Sequence, residues 1–159
     1  MMTAKEVLTL DVNGARREIE VACGEILLTV LRDELRITSP KRGCNQGVCG
    51  ACTILINGVP QRSCLSLAAN CQSKEIRTLD ALLDDGRMRK LQDSFQGNGA
   101  VQCGFCTSGM MITAWHFLET SDQPTATDIR SALSGNLCRC TGYQKIIDSV
   151  AEAAQETSQ

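Results

Sequence analysis

Imidazoles, aromatic rings and long apolar runs are all scarce in this 159-residue chain, and each shortage closes off a class of function. His116 is the single histidine, so neither a zinc-binding H-E-x-x-H helix nor a Rieske centre, which needs two histidines, is available. No nucleophile is paired with a histidine and no G-x-G-x-x-G phosphate fingerprint occurs. The chain therefore has no catalytic constellation of its own. Aromatic residues make up 3% of the chain against 43% hydrophobic, so the core must be built from Leu, Ile, Val, Ala and Met. No stretch approaches the roughly twenty apolar residues that span a bilayer. A formal net charge of −2 and a pI near 5.4 give no electrostatic case for nucleic acid. Arg16-Arg17 is followed by Glu18-Ile19-Glu20-Val21, where a twin-arginine signal needs an apolar stretch. The expected compartment is the cytoplasm, where thiols stay reduced.

Cysteine is what the chain has in abundance: ten residues, eight of them in two sets of four. The first set is Cys44, Cys49 and Cys52, joined after eleven intervening residues by Cys64. This is the C-x4-C-x2-C…C order of a plant-type [2Fe–2S] ferredoxin. Four thiolates must converge on one point, so the chain has to wrap around the metal. Gly43, Gly47 and Gly50 flank the ligands, where positive φ leaves backbone N–H groups free to point at sulfur. The second set is Cys103 and Cys106, then, after thirty-one intervening residues, Cys138 and Cys140. Zinc also takes four cysteines, but structural zinc sites pair C-x2-C knuckles, which the first triad is not. Taken alone, the C-x2-C and C-x-C of the second set leave zinc and iron both open. A disulfide framework fits an even count, but the length and the apolar content argue against it.

The hydrophobic period changes partway along. Leu8, Leu10 and Val12 alternate with polar residues, Asn13-Gly14 is a hairpin turn, and Ile19 and Val21 resume the alternation. Leu27, Leu28, Val30, Leu31 and Leu35 predict a helix over about 25–35. Thr53–Ile56, the turn Asn57-Gly58 and Val59–Arg62 predict a second hairpin, with a last strand at Glu75–Thr78. Beyond Leu79 the period is about 3.6. Residues 88–95 are mixed and Gly97-Asn98-Gly99 reads as a loop. Gly109–Leu118 is apolar nearly all round, as in a buried helix. Thr125-Ala126-Thr127-Asp128 predicts a capping box opening a helix that Gly135 would close. Tyr143, Ile146, Ile147, Val150, Ala151 and Ala154 form the stripe of a last amphipathic helix. The expected boundary falls between residues 1–79 and 80–159.

Four stretches carry a family resemblance: Lys41-Arg42-Gly43-Cys44, Gly47-Val48-Cys49-Gly50-Ala51-Cys52-Thr53, Gln102-Cys103-Gly104-Phe105-Cys106-Thr107, and Gly135-Asn136-Leu137-Cys138-Arg139-Cys140-Thr141-Gly142-Tyr143. Together they resemble the small iron–sulfur subunit of the molybdenum hydroxylases, the xanthine oxidase family. The resemblance implies an α+β fold: an N-terminal plant-type ferredoxin (β-grasp) domain followed by a small all-α helical-bundle [2Fe–2S] domain. It implies two [2Fe–2S] clusters, the first on Cys44, Cys49, Cys52 and Cys64, the second on Cys103, Cys106, Cys138 and Cys140. It further implies a large partner subunit with a molybdopterin-type molybdenum cofactor, and an FAD subunit or other electron acceptor. The family pattern puts the counterparts of Gln102 and Cys140 against the pterin. One departure is Ser108, where the family commonly has proline after Cys-Thr; only a local effect at a helix start is expected.

Other residues have simple expected roles. His116 is read as a satisfied core histidine, Cys23 and Cys71 as small buried hydrophobes, and Met110-Met111 as packing. Arg139, between two ligands, is expected to offset cluster charge or meet a partner. The function expected is one-electron relay inside an oxidoreductase complex. The alternatives are an independent, diffusing ferredoxin-like carrier, against which the second, helical half argues, and a regulatory or structural metal-binding module.

Overall fold

The computed structural model describes residues 4–121 and 123–157; the outer limits of the two expected domains, at residues 1 and 159, lie outside them. Asn13 (φ 55°) and Gly14 (φ 74°) both occupy the left-handed region, as a tight hairpin requires, and join β1 (Lys5–Val12) to β2 (Ala15–Ala22) in the register Val12↔Ala15. Asn57 (φ 50°) and Gly58 (φ 78°) do the same between β3 (Thr53–Ile56) and β4 (Val59–Arg62). The short β5 (Glu75–Arg77) inserts between the two hairpins, parallel to β1 and antiparallel to β3, giving the order β2-β1-β5-β3-β4.

The turn asparagines also hold that last strand. Asn13 Oδ1 accepts the Thr78 N–H at 2.8 Å and Asn57 Oδ1 accepts the Glu75 N–H at 2.9 Å. Each replaces a ladder bond that a three-residue strand cannot supply.

The segment predicted as a helix over 25–35 is shorter and irregular. It is one α turn, α1 (Leu27–Thr29), running into a π turn at Val30–Glu34, where the Leu35 N–H reaches back to the Val30 carbonyl. The wider turn still buries Leu27, Val30 and Leu31 against the sheet, while Leu28 packs with Cys52 and Cys64.

The second half is helical. α2 (Gly86–Gly97) begins at Asp85, whose carboxylate accepts the Met88 N–H, and it continues through Gly97, the first residue of the stretch read as a loop; Gly99, at φ 63°, makes the exit. α3 (Thr107–Glu119) is buried along most of its length, Met110 and Met111 included. α4 (Ala126–Leu133) opens with the expected capping box between Thr125 and Asp128. It ends at Ser134, and Gly135 does not take a left-handed φ; a Cβ there would lie 2.7 Å from Arg62 Nη2, so the tip of that side chain would have to move. α5 (Gln144–Thr157) buries Ile146, Ile147, Val150, Ala153 and Ala154. Among the described residues no helix is long and apolar enough to cross a membrane.

β3 joins the two halves. All four of its residues are buried: Ile54 and Ile56 face the sheet's own core, whereas Leu55 belongs to the helical core with Met88, Phe95 and Trp115. Covered on both faces, this strand loses the in-out alternation that marks a half-exposed one.

Two expectations for single residues fail. Cys23 is exposed, because it sits in the turn after β2 rather than on the sheet's inner face, while Cys71 is buried as expected. His116 is only half-buried, at the rim of α3, and its Nδ1 has no hydrogen-bond partner, with Glu119 Oε2 3.7 Å away. A uniformly apolar stretch hides which residue falls on the solvent side.

Candidate metal centres

The first four thiols meet beside the start of β3. In the 44–52 loop Asn45 (φ 54°), Gly47 (φ 74°) and Gly50 (φ 72°) turn left-handed, and the Gln46 and Cys49 N–H groups consequently point at Cys44 Sγ, at 3.3 and 3.4 Å. Those bonds, Cys49 first, pull the Cys44 thiol down to about 6. Gly43 departs from the expected role, since its φ is not positive; a Cβ there would lie 2.7 Å from Cys49 Sγ. Cys64 enters from the end of β4. Burial, and a bond with the Cys52 thiol, push it up to about 11. The four sulfurs thus stand as two contacting pairs, Cys44 with Cys49 and Cys52 with Cys64.

The second set assembles between helices. Gly104 (φ 76°) folds the Cys103–Cys106 turn so that Cys106 caps α3, and Cys138 and Cys140 come from the loop joining α4 to α5. Again there are two pairs. Cys140 donates to Cys103 Sγ at 3.4 Å, and Cys106 bonds Cys138. Burial, then Cys138, push Cys106 up to about 12. Cys103 is lowered by the Phe105 N–H and by Cys140, while Cys140 is raised by donating to Cys103. For Cys138 burial pushes upward, but the Thr141 hydroxyl and N–H, the Cys140 N–H and the bond with Cys106 together outweigh it and the net shift is down.

Pairing bears on which metal fits. A structural zinc site gathers four thiolates on one ion. A [2Fe–2S] cluster instead divides four thiolates between two irons, two to each. Two pairs in each set, with backbone N–H groups turned toward sulfur, are the donor arrangement such a cluster takes.

The two sets are bound together directly. The Leu137 N–H, one residue before Cys138, donates to the Cys49 carbonyl at 2.9 Å. Asn136, buried, donates to the Gly50 carbonyl at 3.2 Å and accepts from Thr113 at 3.0 Å. Arg62 spans Thr53 Oγ1 and the Gly135 carbonyl. Contact is close enough that a Cβ on Gly50 would lie 2.7 Å from Asn136 Nδ2, and one on Gly109 would run into the Gly50 carbonyl. Ser108, expected to act only at its helix start, also donates to the Ser39 carbonyl at 2.6 Å, tying α3 to the segment before the first set. Gln102, Arg139 and Cys140 are exposed at one end of the molecule's second set, with Phe105 and Leu137 exposed beside them.

Sequence reasoning missed Arg62, Asn136 and Thr141 as functional residues. Asn136 and Thr141 lie inside the quoted stretch 135–143, but nothing in spacing assigns a role to a hydroxyl or amide among thiols. Arg62 reads as an ordinary exposed strand residue.

Known proteins agree with this geometry. Residues 11–91 match the family described as "2Fe-2S iron-sulfur cluster binding domain", and residues 78–151 the family described as "[2Fe-2S] binding domain". The chain is 47% identical over 146 residues to the nicotine 6-hydroxylase small subunit of Paenarthrobacter nicotinovorans, covering 92% of this chain and 88% of that one. It is 44% identical over 151 residues to the nicotinate dehydrogenase small FeS subunit of Eubacterium barkeri, covering 95% and 96%. In the crystal structure of quinoline 2-oxidoreductase from Pseudomonas putida 86, a chain 42% identical superposes with a TM-score of 0.90 over 97% of this chain and 96% of its own length. The chain belongs to the small iron–sulfur subunits of the molybdenum hydroxylases, the xanthine oxidase family.

Proposed function

We propose that Cys44, Cys49, Cys52 and Cys64 hold one [2Fe–2S] cluster within residues 1–79, and that Cys103, Cys106, Cys138 and Cys140 hold a second within residues 80–159. The observation that carries this reading is the gathering of eight thiols into two sets of two pairs. Bound clusters supply one-electron chemistry, and nothing else in the chain performs a reaction. The chain is the electron-transfer subunit of a multi-subunit oxidoreductase, working between a molybdopterin-bearing large subunit and an FAD-bearing or other acceptor subunit.

This chain's residues do three things toward that end. Thiolates bind, left-handed turns at Asn45, Gly47, Gly50 and Gly104 aim N–H groups at sulfur, and the Leu137–Cys49, Asn136–Gly50 and Arg62–Gly135 bonds fix one set relative to the other. Fixed separation matters because tunnelling falls steeply with distance. Exposure of Gln102 and Cys140 supports their role as the residues that meet the partner's pterin. The cytoplasm is the compartment in which ten reduced thiols persist.

Nicotine, nicotinate and quinoline, for which the three relatives above are named, share a nitrogen heteroaromatic ring. That supports a substrate of the same class in the large subunit's pocket. The test is to purify the tagged chain from its own host and assay molybdenum and flavin. Recovery with a large molybdenum-containing chain, and bleaching of the iron–sulfur absorbance by an N-heteroaromatic substrate without air, is the expected result. A chain recovered alone would favour the diffusing carrier.

A further inference from the structure

Four hydrogen bonds close a ring over residues 138–143. The Cys138 N–H donates to the Tyr143 hydroxyl at 2.9 Å, and the Tyr143 N–H donates to Thr141 Oγ1 at 3.2 Å. The Thr141 hydroxyl in turn donates to Cys138 Sγ at 3.0 Å, and the Thr141 N–H reaches the same sulfur at 3.4 Å. Direction follows from chemistry: Oγ1 accepts the Tyr143 N–H on a lone pair, and a ligating thiolate has no proton to give, so the hydroxyl hydrogen must point at sulfur. The ring is maintained at a conformational cost. Gly142 (φ 67°) and Tyr143 (φ 69°) are both left-handed, a region an aromatic residue enters only when its surroundings hold it there.

We propose that Thr141 sets the reduction potential of the second centre, raising it above the value that the same four thiolates would give without the hydroxyl. The proposal rests on the reading of Cys138 as a cluster ligand. Reduction adds negative charge that spreads onto the sulfurs. A donor held on one of them stabilises the reduced form more than the oxidised one, and the potential rises. At the first set the donors to Cys44 Sγ are the backbone N–H groups of Gln46 and Cys49, which side-chain replacement does not remove. The Thr141 hydroxyl is therefore a handle on one centre and not the other, and it grades the two centres within a single chain.

The test is an EPR-monitored redox titration of the intact complex, wild type against T141V, T141A and T141S, with iron counted on each sample. Valine keeps the shape of threonine and lacks the hydroxyl; serine keeps the hydroxyl. The expected result is a lower midpoint for the second centre in T141V and T141A, an unmoved first centre, and a T141S midpoint at the wild-type value. An unchanged midpoint in T141V, an equal shift of both centres, or a serine variant displaced as far as valine would overturn the proposal. Loss of the second centre's iron in both T141V and T141A would overturn it too, because the residue would then be needed for assembly. A wild-type complex showing one iron–sulfur signal would remove the ligand assignment itself, a different failure.

Discussion

The Leu137 N–H donates to the Cys49 carbonyl across 2.9 Å. Cys49 belongs to the first thiol set and Leu137 immediately precedes Cys138 of the second. One hydrogen bond thus joins the two sets through a short stretch of backbone, and the buried Asn136 beside it closes the same seam.

Asn136→Ala tests the seam. It strips one of three donors from the Gly50 carbonyl, which keeps the Thr53 N–H and hydroxyl, and removes the acceptor of the Thr113 hydroxyl. The expected loss is about 1–3 kcal/mol, read by urea denaturation of the cluster-loaded chain. Gly109→Ala, whose added methyl meets the Gly50 carbonyl, should destabilise as well. Wild-type midpoints in both variants would mean the halves are not held by this contact.

Leu55→Ala probes the strand shared by the two cores. Leu55 is fully buried among helical residues although it lies on β3, so truncation leaves a cavity between the layers and should cost about 2–5 kcal/mol. The loss should appear as a single lowered transition. Unfolding of the helical half alone, with the sheet unaffected, would count against a shared core.

Asp85 links acid stability to a named group. Its carboxylate caps α2 through the Met88 N–H and accepts the Trp115 indole N–H at 2.7 Å. Burial pushes its pKa up, but those two donors and the Arg87 charge outweigh burial and hold it below the ordinary carboxylate value. A carboxylate depressed in the folded state adds stability above its unfolded pKa, and that stability is lost as pH falls through the folded value. Asp85→Ala should therefore cost about 1 kcal/mol at neutral pH through the cap, and the difference from wild type should shrink under acid. A difference that stays constant down to the lowest pH at which wild type folds would assign the loss to packing instead.

Much of this architecture was legible because its signals are local. Asn13-Gly14 and Asn57-Gly58 announce hairpins, the Thr125–Asp128 box opens α4, and cysteine spacing separates two sets of thiols. What was not legible depends on contact between distant segments. The pinning of β5 by Asn13 and Asn57, the burial of Leu55 on its outer face and the Arg62 bond to the Gly135 carbonyl all arise from tertiary neighbours. The π turn at Val30–Glu34 escaped for a related reason, since a helical period alone does not distinguish α from π winding.

Cys140→Ser separates the two centres in function. The change removes a thiol from the second set while leaving the first untouched, so substrate added to the intact complex should no longer reduce the chain, whereas dithionite should still reduce the first centre. Unchanged turnover would sink the assignment of Cys140. Cys49→Ala is the complement: about half the iron should be lost and the second signal retained.

The most direct test of the account is low-temperature EPR of the dithionite-reduced protein, with iron and acid-labile sulfide counted on the same sample. Two distinguishable [2Fe–2S] signals with about four irons and four sulfides per chain are predicted. A silent spectrum with zinc in place of iron would contradict it.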